Sequence, residues 1–211
     1  MNSCPLCRSQ QLSPFHQDEQ RAYLICGQCK LVSVPDEYLL SAADEKAFYD
    51  HHQNNSEDMG YRRFLGRTWL PLSERLTPEM QGLDFGCGPG PTISVMAAEQ
   101  GLKMDNYDLY YFHRPALLQR QYDFITMTEV IEHVGDAQSL LQQLHGMLKP
   151  QGVLAIMTKR VLDEAAFARW HYKSDQTHIR FYSIDTFQWI ADHFQWQLEV
   201  IDKDVVFFTR T

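Results

Sequence analysis

The sequence predicts an α/β protein: a mostly parallel sheet of about six strands with helices on both faces, preceded by a small metal-held module. Three observations carry this expectation. From residue 82 onward, short apolar or β-branched runs alternate with stretches of helical length, which is how a parallel sheet with crossover helices reads. The run Val153–Thr158 (VLAIMT) is continuously apolar, as strands buried on both faces are. Two CxxC pairs stand near the N-terminus, with 18 residues between Cys7 and Cys26.

Composition narrows the class. The 211 residues are 44% hydrophobic and 22% charged, enough to bury a core and too apolar for bulk disorder. No apolar run approaches the roughly 20 residues of a membrane helix. The opening MNSCPLCRSQ lacks the basic and apolar segments of a secretory leader, so a cytoplasmic location is expected. With 27 acidic against 19 basic residues the net charge is -8, which disfavours nucleic acid and anionic membranes as partners unless a local basic patch intervenes.

The first element is Cys4-Pro5-Leu6-Cys7 with Cys26-Gly27-Gln28-Cys29. Two thiolates three residues apart reach one ion, and four thiolates close a zinc tetrahedron with no position left for substrate. The pattern looks like a structural zinc ribbon over residues 1–34, with Gly27 easing the second knuckle and metal supplying the folding energy that few core residues can. Free or disulfide-paired cysteines are the competing reading. Cys87 stands apart and reads as a packing residue.

Residues 35–79 form a helical linker. Ser41 is placed to cap a helix through Asp44, His51–Ser56 reads as a loop, and Tyr61–Leu72 carries Phe64, Leu65, Trp69 and Leu72 at helical spacing despite Pro71. Gly82–Phe85 is a short strand entering the turn Gly86-Cys87-Gly88-Pro89-Gly90. Thr92–Gln100 is a helix closed by Gly101. Lys103–Asp108 and Tyr122–Met127 are strands. Asp136–Leu148 is an amphipathic helix broken by Lys149-Pro150-Gln151-Gly152 before Val153–Thr158. Ser183–Phe194 is the last helix, followed by two closing strands around Asp202-Lys203-Asp204.

LDFGCGPG, YD at the next strand end, YDFITMTEVIEHV and LKPQGVLAIMT occur in that order. Together they resemble the class I S-adenosylmethionine-dependent methyltransferases, over roughly residues 80–211. The resemblance implies a Rossmann-like domain there, with the 35–79 segment as a cofactor lid. It implies that Asp84 lies near the methionine amine, that Gly86 and Gly88 make room for the cofactor, and that Asp108 accepts the ribose hydroxyls. Thr128 and Glu129 would line the cofactor's other side. The competing reading makes Asp84 and Asp108 ordinary strand-end turn residues. Only Leu109–Gln121 separates Asp108 from the next motif strand, too short for a helix and a strand. The sheet should therefore lack that edge strand, leaving Phe112 and His113 as candidates beside the adenine.

For the acceptor side, His178 after the fifth strand is a candidate base, oriented by Asp175 as a carboxylate orients a catalytic imidazole, or else a loop residue without chemistry. Trp170, Tyr172, Phe181 and Tyr182 make that region aromatic, suiting a planar acceptor or packing a lid, and His52 and Tyr61 are candidates to close over the cofactor. Were the stretch after Thr128 helical, Glu129, Glu132 and His133 would share one face. This E-x-x-E-H pattern resembles one that holds a divalent metal in certain ubiquinone-pathway and small-RNA methyltransferases, with His178 available to complete it. Acidic residues are equally favoured at any helix start.

The expected function is a methyltransferase for a small-molecule acceptor. The alternatives are an RNA or protein methyltransferase using the ribbon for recognition, and a non-catalytic zinc and nucleotide-binding protein. Arg8, Arg21 and Lys30 are too few for a convincing basic face on the ribbon.

Overall fold

The structure, a computed structural model, describes residues 2–50 and 54–211. The expectations for His51, His52 and Gln53 lie outside the described residues. In chain order the strands are β1 (Leu12–Gln17), β2 (Ala22–Cys26), β3 (Val32–Ser33), β4 (Gln81–Phe85), β5 (Lys103–Tyr107), β6 (Tyr122–Thr128), β7 (Leu148–Met157), β8 (Arg180–Phe181), β9 (Trp196–Val200) and β10 (Val205–Arg210). The α-helices are α1 (Ala42–Tyr49), α2 (Met59–Ser73), α3 (Thr92–Glu99), α4 (Ala137–Met147), α5 (Glu164–Ala168) and α6 (Ile184–Phe194).

The main sheet has six strands in the order β5-β4-β6-β7-β10-β9. β5, β4, β6 and β7 run parallel, and β10 is antiparallel to both β7 and β9. Among the described residues no strand lies between Asp108 and Tyr122, where a 3-10 turn at Pro115–Gln119 takes its place. The mostly parallel Rossmann-like α/β sheet is thus present in the shortened form expected. After β4 the chain first goes to β5 on one side and then returns to β6 on the other. That reversal opens a crevice at the carboxyl ends of β4 and β6, where ligands of open α/β sheets bind.

Both sheet faces are dry, which explains the unbroken apolar run in β7. Leu154 and Ile156 join Val206 and Phe208 beneath α4 and α6, while Ala155 and Met157 join Val205 and Phe207 beneath α2 and α3. Alternate residues serve opposite faces, as strand periodicity demands. α2 brings Leu65, Trp69 and Leu72 to the second face and runs through Pro71, which sits in its last turn and costs one ladder bond. The expected break at Lys149–Gly152 is a bulge instead: β7 starts directly after α4, Tyr122 pairs with Leu148, and Phe124 next pairs with Val153.

The ribbon departs from its reading as a module that metal alone must fold. Cys4, Leu6, Cys26, Cys29 and Leu31 are fully buried within the main core, and Tyr23, Val32 and Val34 pack with Phe167 and Phe181. Its sheet, β1-β2-β3-β8, is completed by a strand from the other end of the chain, with Val32 opposite Phe181 and Ser33 opposite Arg180. The left-handed residues that close the two knuckles are Arg8 (φ 61°) and Lys30 (φ 60°), not Gly27. Gly27 serves a close approach, since a Cβ there would stand 3.2 Å from Gln11 Oε1.

Candidate active site

At the carboxyl ends of β4 and β6 lies a cavity of about 790 Å³, lined by the glycine turn, the Asp108 turn, α1, α2 and the Glu129–Asp136 segment, together with Asp175 and His178. Cavities of roughly 300–1,000 Å³ accommodate small molecules and cofactors. The glycine turn fits close passage of a ligand. Gly86 (φ 77°) and Gly88 (φ 64°) are both left-handed, and Cβ atoms there would meet Val130 Cγ2 at 2.4 Å and Asn54 Nδ2 at 2.8 Å.

The two strand-end carboxylates differ in environment. Asp84 is buried, accepts the Thr126 hydroxyl at 2.7 Å and is pushed up to about 7 by loss of solvent. Such a group asks for a positive partner, which the ammonium of an amino-acid-like ligand supplies. Asp108 accepts backbone N–H bonds from Gly88 (3.0 Å), Tyr110 (2.8 Å) and Tyr111 (3.1 Å), so it links the glycine turn to its own. Backbone bonds between Asp108 and Phe112 tighten that turn, and it is Leu109, Tyr110 and Tyr111 that face the cavity. Phe112 and His113, the expected adenine neighbours, are not in its wall. α1 closes over this turn through Tyr110 Oη on Glu45 (2.9 Å) and Tyr111 Oη on Asp50 (2.8 Å). Tyr61 lines the cavity too.

Thr128 ends β6 at the cavity wall, and Glu129 follows with φ 51°, so no helix starts there. A short 3-10 turn at Ile131–His133 replaces the helical face expected for Glu129, Glu132 and His133. Tertiary structure keeps Glu132, His133 and His178 of the expected set together and leaves Glu129 out. One ligand atom from each of Glu132, His133 and His178 lies within 4.8 Å of the others. His133 Nδ1 donates to Thr177 O (3.0 Å) and His178 Nδ1 donates to Tyr172 O (2.8 Å). Both imidazoles are thereby held as metal-ligating histidines are, with Nε2 as the atom presented to an ion. His133 Nε2 faces Glu132 Oε1 at 3.9 Å, and Glu132 Oε2 is buried with no hydrogen-bond partner among the described residues. Burial, with His133 alongside, brings His178 down to about 4, so its ring is neutral.

Tyr172 Oη lies 2.5 Å from Glu132 Oε1 and 3.2 Å from Glu129 Oε2. One phenolic proton cannot serve two carboxylates, and burial raises both acids. A cation, an extra proton or, at Glu129, water in the cavity completes the group. Asp175 does not orient His178: its Oδ2 is 3.7 Å from Nε2, and its Oδ1 caps Thr177 instead. Of the aromatic residues expected near an acceptor, Tyr172, Phe181 and Tyr182 are buried in packing, and Trp170 packs against Tyr172 and Phe181. None of the four lines the cavity. Sequence reasoning missed Tyr49, whose ring meets His133 at 5.4 Å, and Asn54 against the glycine turn.

At the other end of the ribbon, one ligand atom from each of Cys4, Cys7, Cys26 and Cys29 lies within 4.8 Å of the rest, a donor set suited to a tetrahedral thiophilic ion. Arg8 is spent on Asp136 and Gln138, Lys30 on Gly27 O, and Arg21 is buried.

The sheet order, the glycine turn at its switch point and the strand-end acids together describe an α/β fold with a cofactor-sized crevice at its switch point. A family model described as a methyltransferase domain matches residues 50–200, more than half of the chain. The chain belongs to this family, the class I S-adenosylmethionine-dependent methyltransferases.

Two curated relatives are ubiquinone biosynthesis O-methyltransferases. That of Parvibaculum lavamentivorans is 34% identical over 144 residues, 56% of this chain and 56% of the relative. That of Histophilus somni is 33% identical over 94 residues, 41% of this chain and 40% of the relative. The matches thus span about half or less of the relatives' length. Among solved structures, a methyltransferase in calicheamicin biosynthesis with S-adenosylhomocysteine bound is similar with a TM-score of 0.54 at 11% identity, covering 81% of this chain and 59% of that one. A methyltransferase from Archaeoglobus fulgidus has a TM-score of 0.50 at 17% identity, covering 65% of this chain and 71% of that one. At these identities the likeness is one of fold. Among the described residues no helix is long and apolar enough to cross a membrane.

Proposed function

We propose that the chain transfers a methyl group from S-adenosylmethionine to a hydroxyl of a small molecule, with a divalent cation at Glu132, His133 and His178. The observation that carries the reading is the meeting of these three ligand atoms within 4.8 Å, His133 and His178 lying in the wall of the cavity that the glycine turn also lines. The activity of the curated relatives, O-methyl transfer in ubiquinone biosynthesis, supports an oxygen acceptor.

When bound, the cofactor supplies an electrophilic methyl on sulfonium, and the cation supplies Lewis acidity that lowers the pKa of an acceptor hydroxyl. The residues of the chain bind and align. Asp84 takes the ammonium of the cofactor, Gly86 and Gly88 let its backbone side approach, and Asp108 offers carboxylate oxygens to the ribose. Thr128 and Glu129 border the reacting end. Glu132, His133 and His178 hold the cation against the acceptor side, which makes His178 a ligand rather than a free base. Tyr49 and α1 cover the cavity and exclude water. In this reading residues 1–34 are a zinc ribbon with a structural ion on Cys4, Cys7, Cys26 and Cys29, residues 35–79 are a linker that covers the cofactor, and 80–211 form the catalytic domain.

The test is a screen for transfer of radiolabelled methyl to hydroxylated metabolite pools and to RNA, with magnesium, manganese or zinc added and with chelator. Metal-dependent labelling of small molecules is expected. Labelling of RNA alone, or of small molecules equally well in chelator, would replace the acceptor or the metal part of the reading respectively.

A further inference from the structure

We propose that Arg21, at the tip of the ribbon hairpin, is the positioning residue for both active-site histidines; the proposal rests on reading His133 and His178 as the groups facing the acceptor. Asp18 Oδ1 accepts the N–H groups of Gln20 and Arg21 (both 3.0 Å) and so fixes the turn between β1 and β2. From this turn the Arg21 side chain enters the domain core, where only 4% of its surface remains exposed. Its Nη2 donates to Lys173 O (2.5 Å) and Asp175 O (2.8 Å), its Nη1 to Gln176 O (3.1 Å) and its Nε to Tyr23 Oη (3.0 Å). A planar guanidinium with five fixed donors can gather three carbonyls of one loop, whereas an ammonium cannot reproduce that fork.

The loop it gathers is the one that both imidazoles lean on. His178 Nδ1 donates to Tyr172 O, and His133 Nδ1 donates to Thr177 O. The carbonyls held by Arg21, at residues 173, 175 and 176, lie between those two acceptors. Asp18 adds a second tie, accepting Lys173 Nζ at 2.9 Å and Tyr23 Oη at 3.1 Å. On the far side of His178, Ile179 N–H donates to Glu132 O (2.9 Å), and Val34 N–H of the ribbon donates to Ile179 O (3.0 Å). The ring orientations therefore depend on a loop whose shape is dictated from the ribbon. The metal-held end of the hairpin and its arginine tip act as one lever: the four-cysteine cluster anchors the hairpin, and Arg21 sets the loop.

The test compares wild type, Arg21→Met and Arg21→Lys as zinc-loaded full chains. Three readouts are taken: amide exchange of residues 173–178, the imidazole Nδ1–H resonances of His133 and His178, and Mn2+ affinity. In Arg21→Met the three carbonyls lose their donors. The loop amides should exchange about tenfold faster or more, because three hydrogen bonds that hold the loop are lost at once. Both Nδ1–H resonances should broaden or vanish. Mn2+ should bind about 10–100-fold more weakly, as when an orienting partner of a metal ligand is removed. Zinc content and S-adenosylmethionine affinity should stay at the wild-type level. Arg21→Lys should fall between the two.

Wild-type loop protection and both Nδ1–H resonances in a folded Arg21→Met would overturn the proposal. Should that variant fail to fold, Arg21→Lys carries the same decision, with unperturbed resonances again overturning it. A wild-type chain that binds no Mn2+ refutes the cation reading alone, because the resonances and the amide exchange still decide the role of Arg21.

Discussion

On one side of the cavity, the glycine turn after β4 and the Asp108 turn after β5 are joined by bonds from backbone N–H groups, that of Gly88 to the Asp108 carboxylate and those of Gly86 and Cys87 to Tyr107 O. On the other side, Glu132 and His133 come from a 3-10 turn after β6, His178 comes from a loop before β8, and the ribbon hairpin holds that loop in place. The first wall is built from adjacent strand ends and is shaped by main-chain conformation. The second is assembled from three distant stretches and is shaped by buried side chains. In the proposed reading, cofactor binding falls to the wall built from local geometry. The opposite wall depends on long-range packing, with the ribbon bonded to the loop that carries His178.

The largest expected effect is on the long-range wall. Cys26→Ser should abolish the metal at the ribbon and destabilise the chain severely, since structural zinc contributes on the order of 10–16 kcal/mol of binding free energy in zinc-finger peptides. Metal analysis of the wild type should find about one zinc per chain. A folded, metal-free wild type made under reducing conditions would break the comparison, because the hairpin would then stand without its anchor. Next, Glu132→Gln should weaken divalent-cation binding by about 100-fold or more, beyond the 10–100-fold seen for outer partners of a ligand. Titration with Mn2+ measures this, and the affinity for S-adenosylmethionine, set by the other wall, should hold.

On the local wall, Asp108→Ala should weaken S-adenosylmethionine binding, each charge-assisted hydrogen bond being worth roughly 1.5–3 kcal/mol. Calorimetry reads the loss, while Mn2+ affinity should be unchanged; a coupled loss of both would show that the walls are not independent. The smallest effect is one of pH. Asp84 is raised to about 7 in the folded chain, above its unfolded value near 3.9. Its burial therefore costs the cofactor-free chain stability as pH rises from about 4 to 7, where the folded state holds the proton that the unfolded state has lost. An incoming ammonium favours the ionised form, so cofactor affinity should climb with pH up to about 7 and then level. Asp84→Asn should lose that slope.

The order of strands and helices, the missing edge strand and the glycine turn were legible in the sequence because each follows from local pattern: alternate burial in β7, the φ values of Gly86 and Gly88, and too few residues between Asp108 and Tyr122. Spacing likewise brought the four cysteines together on paper, since two tight knuckles of one hairpin can meet at a single ion. Spacing also singled out Glu132 and His133, and the resemblance offered His178 to complete them; what neither could give was that Glu129 is left out of the cluster. Glu129, grouped by an assumed helix, takes a left-handed conformation and gives no ligand atom to the cluster, although its carboxylate meets the same Tyr172 hydroxyl as Glu132. His178 joins from 45 residues beyond His133. Nor could composition reveal that Arg21, counted among surface charges, is buried. A guanidinium enters a core only where carbonyls from elsewhere in the chain satisfy it, and Lys173, Asp175 and Gln176 do so from across the fold. The sequence by itself determined the elements and the cofactor turn, whose energetics are those of neighbouring residues. The tertiary structure decided that Glu132, His133 and His178 meet without Glu129, because that depends on how distant stretches pack, the pairing of β3 with β8 among them.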